Sequence, residues 1–272
     1  MYAVTTFSPA RLGQRQALRR LWLSRELLRR LVLRDLMVRY QRSTLGFAWT
    51  LLNPLVTVAV LLVVFTRVVP VGVPHYWAFL LSGYFVWNFV ANTLNASAFT
   101  IHDHADMTRN MPFSVETLMI GTALARLVEF VAALTLVALA LALFHHRGIP
   151  ASYALLPLLA VLQLLLVLGL AFLVATLSVF YYDVQHALPV ALMLVVYVSP
   201  VFYPASYVPL AFRPLFFLNP VAGLLTLYQT VLYEGRLPHI TLLAGTTIFA
   251  LLICSAGYVI LGRYRAVIAE TV

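Results

Sequence analysis

The chain has 272 residues, 62% hydrophobic and only 10% charged; soluble domains carry about 25% charged residues, so a water-soluble fold is excluded. Its formal charge of +9 comes entirely from 18 arginines, with no lysine, and ten of them lie between Arg11 and Arg42. The aromatic residues concentrate in the apolar runs, so that basic segment suits anionic lipid headgroups and not nucleic acid.

Residues 1–23 are basic, open with a Ser8-Pro9 helix-start signal and have no apolar signal-peptide core, so membrane insertion is expected to begin at the first span. Residues 25–43 read as a helix along the membrane surface. Leu28, Val32, Leu36 and Tyr40 form its i, i+4 stripe, and Arg30 and Arg34 project from the opposite side. Arg29 and Arg39 intrude on the apolar side and must snorkel or find a partner. A bare positive-inside topology signal is the plainer reading of the same segment.

A Ser43-Thr44-Leu45-Gly46 bend leads into span one, Phe47 to Val69, with Asn53-Pro54 in its first turns. Proline there breaks the backbone ladder and relies on neighbouring helices. Span two, Tyr76 to Ala98, carries Asn88, Asn92 and Asn95 at i, i+4, i+7, one face that serves either as interhelical glue or as a conduit lining. Residues 99–117 form a polar segment. Its His102, Asp103, His104 and Asp106 invite a metal reading, but no second set of ligands supports one, and no metal is expected. A short cytoplasmic helix that docks a partner fits better.

Span three, Leu118 to Phe144, contains Arg126 and Glu129 at i, i+3. They either form an intramembrane ion pair or both lie near the headgroups. After the loop 145–150, span four runs to Val179, Phe180 to His186 turn back, and span five covers Ala187 to Tyr203 with Pro189 and Pro200. Residues 204–236 are apolar but broken by prolines and by Asn219-Pro220. Span six runs from Ile240 to Leu261. With six spans, thirteen arginines face the side of both termini and four (Arg67, Arg147, Arg213, Arg236) the other, a positive-inside asymmetry. Residues 204–236 are therefore expected to be short helices that dip into the outer leaflet and return, which requires protein or a water-filled cavity beside them.

The lone Cys254 lies in an apolar run and reads as a small buried hydrophobe, with no intrachain disulfide possible. A phosphate-binding P-loop needs its lysine and cannot occur here; no Gly-x-Ser-x-Gly elbow, zinc-binding His-Glu-x-x-His helix or carboxylate pair within a span is present either. Two classes remain, a transport subunit energised elsewhere and a polytopic membrane enzyme, and the absences favour the first.

Four stretches carry a resemblance: Arg34-Asp35-x-x-Val38-Arg39-Tyr40-x-x-Ser43-x-Leu45-Gly46-x-x-Trp49-x-x-x-x-Pro54, Phe180-Tyr-Tyr-Asp183-Val-Gln-His186, Ser199-Pro-Val-Phe-Tyr-Pro204 and Leu218-Asn-Pro-Val-Ala-Gly-Leu224. In this order they resemble the permease subunits of ATP-binding-cassette polysaccharide exporters, the O-antigen, capsule and teichoic-acid group of type-2 exporter permeases. The resemblance implies an all-α inner-membrane protein with six transmembrane helices and cytoplasmic ends. It divides into an N-terminal region with an amphipathic interfacial helix (1–45), a permease domain (46–262, with re-entrant helices in 204–236) and a tail (263–272).

It further implies a homodimer bound to two copies of a cytoplasmic ATPase subunit that holds ATP and Mg, with no cofactor in this chain, and a lipid-linked glycan as cargo. On this carry-over Arg34, Asp35, Arg39, Tyr40, Arg42, Asp103, Asp106 and Arg109 couple to the ATPase; many members are more basic in the loop between spans two and three. Tyr84, Trp87, Asn88, Asn92, Tyr197, Asn219 and Pro220 are candidates for conduit or gate. A permease for a small lipophilic compound is the competing transport reading.

Overall fold

The computed structural model describes residues 25–41, 43–103 and 115–271; the expectations for Arg42, His104, Asp106 and Arg109 lie outside them. The described residues form helices joined by turns and loops, with no strand among them. In chain order they form α1 (Arg25–Tyr40), a 3-10 turn (Gly46–Ala48), α2 (Trp49–Val63, ending in a π turn Val64–Val68), α3 (Tyr76–Asp103) and α4 (Val115–Phe144). A 3-10 turn (Ala151–Leu155), α5 (Leu156–Phe180), α6 (Val184–Val198), two further 3-10 turns, α7 (Arg213–Phe216), α8 (Pro220–Leu232) and α9 (Ile240–Thr271) complete the chain.

α3 is the axis, packing against α2, α4, α5, α6 and α8. Most of its side chains are buried, and a half-exposed stripe runs along it through Leu81, Tyr84, Asn88, Asn92, Asn95 and Phe99. This is the helical spacing of one face. Along the other seam α5 and α9 meet backbone to backbone. A Cβ on Gly169 would lie 2.6 Å from the Cys254 backbone, and one on Gly257 would overlap the Gly169 carbonyl oxygen. Small residues at such a crossing let dispersion forces act where lipid removes the hydrophobic driving force.

Four helical stretches are long and apolar enough to cross a membrane: Gly46–Val68, Val115–Phe144, Ala151–Phe180 and Ile240–Arg265. Leu210–Phe216 and Pro220–Leu232 meet at a 108° bend and make a fifth if they form one span. The sequence reading counted six because it included α3 and α6. α3 has the length, but its amides and hydroxyls dilute its apolarity, which a helix largely enclosed by protein can tolerate. α6 is apolar but only 15 residues long, about 22 Å at 1.5 Å per residue. It stops before the expected Tyr203 because Pro200 forces Ser199 into extended backbone (φ −95°, ψ 152°). Conversely, α9 runs past Leu261 to Thr271, so the expected tail continues the last helix.

The turn after α6 is tied on three sides. Asn219 Nδ2 donates to Ser199 Oγ (2.8 Å), Gln229 Nε2 to the Pro200 carbonyl, and Tyr76 Oη to the Phe202 carbonyl (2.9 Å). Asn219 also caps α8, its Oδ1 accepting from Val221 N at 3.0 Å, with Pro220 as the first helical residue.

Candidate functional site

α1 lies across the first half of α4. Its half-buried positions are Leu28, Leu31, Val32, Asp35, Leu36, Arg39 and Tyr40, so the predicted stripe is the packed side, with two charged residues included. Gly121 makes the seat: a Cβ there would stand 3.3 Å from Leu31 Cβ. The bend after α1 turns on Gly46 (φ +47°), whose N–H donates to Ser43 Oγ at 3.2 Å; at that dihedral glycine avoids a Cβ clash.

Of the two arginines expected to snorkel or find a partner, Arg29 is exposed, and Arg39 pairs with Glu129 on α4, ninety residues away, while its other Nη contacts Asp35 Oδ2 at 2.8 Å. Tyr40 Oη donates to the same Glu129 oxygen (2.7 Å) and accepts from Thr50 Oγ1 of α2 (2.5 Å). Arg126 Nη1 lies 3.4 Å from the second Glu129 oxygen. One carboxylate, 8% exposed, thus joins α1 to α4 and, through Tyr40, to α2. Burial alone would lower the Arg39 pKa, but Glu129 and Asp35 outweigh it and hold the guanidinium above its usual value. Burial, reinforced by Glu129, raises the Tyr40 phenol. Both groups are therefore kept protonated as donors.

The clamp roofs a cavity of about 430 Å³ between α1, α2, α3 and α4, within the usual size of small-molecule sites. Arg39, Arg126 and Glu129 line it with Asn53, Asn88 and Asn92, against walls that include Trp49, Phe85 and Phe130. Asn92 Nδ2 donates to Asn88 Oδ1 at 2.7 Å. Pro54, also in the lining, has no N–H to close on the Thr50 carbonyl one turn earlier. A second hollow of about 250 Å³ brings Arg34, Asp35 and Asp103 together with Leu118 and Thr122. Arg34, Asp35 and Asp103, far apart in the chain and all coupling candidates, therefore share one hollow.

The conduit candidates separate. Asn88 and Asn92 face the cavity, Tyr84 shares their half-exposed stripe, and Tyr197 is exposed on α6. Trp87 is 6% exposed and packs in the core, one step off the stripe, so within this chain it is not a lining residue. Asn219 and Pro220 start α8 and anchor the preceding turn. Among the described residues no group of three or more His, Cys, Asp or Glu could hold a metal.

Sequence reasoning missed two attachments. Arg265 of α9 forms an ion pair with buried Glu116 at the start of α4. At the far end of α4, His145 and His146 reach the C-terminal carbonyls of α8, Nε2 of each lying 3.0 Å from Tyr233 O and 2.8 Å from Leu232 O. Ser152 Oγ donates to Val231 O at 3.0 Å and Tyr153 Oη to Leu232 O at 3.3 Å. A helix end leaves four carbonyls without helical partners, and these side chains reach three carbonyls at this end, those of Val231, Leu232 and Tyr233. The only hint in the sequence was a histidine pair beside a proline-bounded loop.

Relatives match along the same framework. The chain is 30% identical over 256 residues to a Myxococcus xanthus protein named O-antigen export system permease protein RfbA, covering 93% of this chain and 98% of that one. A Klebsiella pneumoniae protein of the same name is 25% identical over 206 residues, 76% of this chain and 80% of its own. Residues 26–233, from the first turn of α1 to the end of α8, match the model of the ABC-2 type transporter family, and the chain belongs to that family.

Proposed function

We propose that this chain is the membrane subunit of an ATP-driven exporter that moves a lipid-linked polysaccharide across the bacterial inner membrane, energised by a separate ATPase. The observation that carries the reading is the 30% identity to an O-antigen export permease over nearly the full length of both proteins. A chain with no lysine cannot form a P-loop, which agrees with nucleotide hydrolysis on a partner.

In this reading α3 and α6 are the second and fifth of six spans, α7 and α8 form a re-entrant pair at the outer face, and both termini are cytoplasmic. The arginine distribution supports that orientation. Two copies assemble with two ATPase subunits. The half-exposed stripe of α3, with Tyr84, Asn88, Asn92 and Asn95, turns toward the shared path, where amides and an aromatic face suit carbohydrate. Arg34, Asp35 and Asp103, gathered around one hollow, lie where a partner would engage α1 and the α3–α4 connection, and Arg42, Asp106 and Arg109 are assigned the same coupling role on the family resemblance alone. The Arg39–Glu129–Tyr40 clamp carries the resulting motion into α4 and α2.

Mass spectrometry of lipid extracts from cells lacking the protein tests the reading. Accumulation of a long glycan on its polyprenyl carrier, with none at the surface, is expected. An unchanged glycan pool with new sensitivity to a small amphiphile would replace it with export of a small lipophilic compound.

A further inference from the structure

Building on the export reading, we infer that the cavity of about 430 Å³ under α1 is a binding site for the phosphate end of a membrane lipid, with Arg126 as its principal anion ligand. Arg126 has donors to spare. Its Nε is buried with no hydrogen-bond partner, and its contact with Glu129 is long, 3.4 Å. Arg39 and Tyr40 share the other oxygen of that Glu129 carboxylate, so its charge is divided between two guanidiniums. The charged lining is thus two guanidiniums and one carboxylate, and Asp35 meets Arg39 from outside the cavity.

A guanidinium left short of acceptors in a partly dehydrated site is costly. A phosphate answers it with two acceptor oxygens in the geometry of a bidentate pair. Asn88, whose Oδ1 accepts from Asn92, also lines this space and carries an NH₂ group that can donate. Trp49 and the phenylalanine walls supply the apolar side that a lipid's first isoprenoid or acyl carbons need. The phosphate can come from the carrier of the exported glycan or from a bilayer phospholipid, and the chemistry is shared.

The test uses the full-length chain purified in dodecyl maltoside, which carries no phosphate. Polyprenyl pyrophosphate, phosphatidylglycerol and polyprenol are offered separately, and retained adducts are read by native mass spectrometry. Wild type is expected to keep one phosphorylated lipid per chain and no polyprenol. Arg126→Gln should lower retention roughly 10- to 100-fold, the scale of a lost charge-assisted hydrogen bond, and Arg126→Lys should fall between. Ala133→Leu fills the cavity without touching a charge and should also abolish retention, so the test survives if Arg126→Gln fails to fold.

Wild-type retention in Arg126→Lys and in Ala133→Leu, or polyprenol kept as well as polyprenyl pyrophosphate, would overturn the site. Preference for polyprenyl pyrophosphate over phosphatidylglycerol assigns it to the cargo. Equal retention assigns it to bilayer lipid and upholds the phosphate site. A glycan pool unchanged in cells lacking the protein would remove the export reading while leaving these binding results intact.

Discussion

The two ends of α4 are fastened by different chemistry. At its first half, α1 is held by an ion-pair cluster around Glu129 beside an open cavity. At its far end, the α8 terminus is held by neutral side chains on backbone carbonyls, with Ser152 and Val231 fully packed. Charges clustered on one carboxylate have alternative pairings, because Arg39, Arg126 and Tyr40 can be redistributed by a new anion or cation. Carbonyls at a helix end have no such choice, since leaving one buried and unpaired costs its full desolvation. The first attachment suits transmission of motion, the second a fixed support.

The largest expected effect breaks the charged end. Glu129→Ala leaves Arg126 without its carboxylate and Arg39 and Tyr40 with only Asp35 and Thr50 around a carboxylate-sized gap, and removing one partner of a buried pair costs about 3 kcal/mol or more. The thermal midpoint of the purified chain should fall steeply, and Glu129→Gln, which keeps an acceptor for Tyr40, should recover part of the loss. A wild-type midpoint in Glu129→Ala would mean that α1 is not fastened there. Gly121→Leu tests packing alone at the same seat: its Cβ already meets Leu31 at 3.3 Å, and overpacking costs about 1–3 kcal/mol. Proteolysis within α1 should accelerate in this variant while α8 stays protected.

At the neutral end, Ser152→Ala removes one hydrogen bond to Val231 O and should cost about 1 kcal/mol. Protease sensitivity should then rise near α8 and not in α1. If both ends loosen together in either variant, the contrast between them is wrong.

How much of this was legible depended on distance along the chain. The phase of α1 placed Arg39 on the packed side and required a partner, and the i, i+3 spacing of Arg126 and Glu129 allowed theirs. No local rule could show that Glu129 would answer both, because the Arg39 contact spans ninety residues. Pro200 lies within the predicted span five, which runs on to Tyr203, and nothing local shows that the helix stops at Val198 or that Asn219, Gln229 and Tyr76 hold the turn. Hydropathy does not by itself count α3 among the membrane-length apolar stretches, because its polar stripe dilutes a helix otherwise enclosed by protein. It also stopped the last helix at Leu261, where apolarity ends although the backbone has no reason to break. The histidine cap of α8 left only a histidine pair as its trace, since capping groups borrowed from another loop follow no spacing.

The smallest predicted effect comes from that cap. His145 donates from Nε2 to Tyr233 O, with its Nδ1 buried and unpartnered. Burial lowers its pKa, the Tyr233 carbonyl partly opposes this, and the neighbouring rings of His146 and His75 push it lower again. The folded value therefore lies below the unfolded value of about 6.5. The folded chain then binds fewer protons than the unfolded chain through that interval, so stability rises with pH there. The contribution is complete above about pH 6.5 and is lost as the pH falls through the folded pKa. Melting midpoints measured from neutral to mildly acidic pH should show a shallow acid limb in wild type. That limb should flatten in His145→Gln, which keeps an amide donor for Tyr233 O but cannot titrate, while Glu129→Gln should leave it in place. An acid limb unchanged in His145→Gln would move the titrating group away from α8 and leave its cap indifferent to pH.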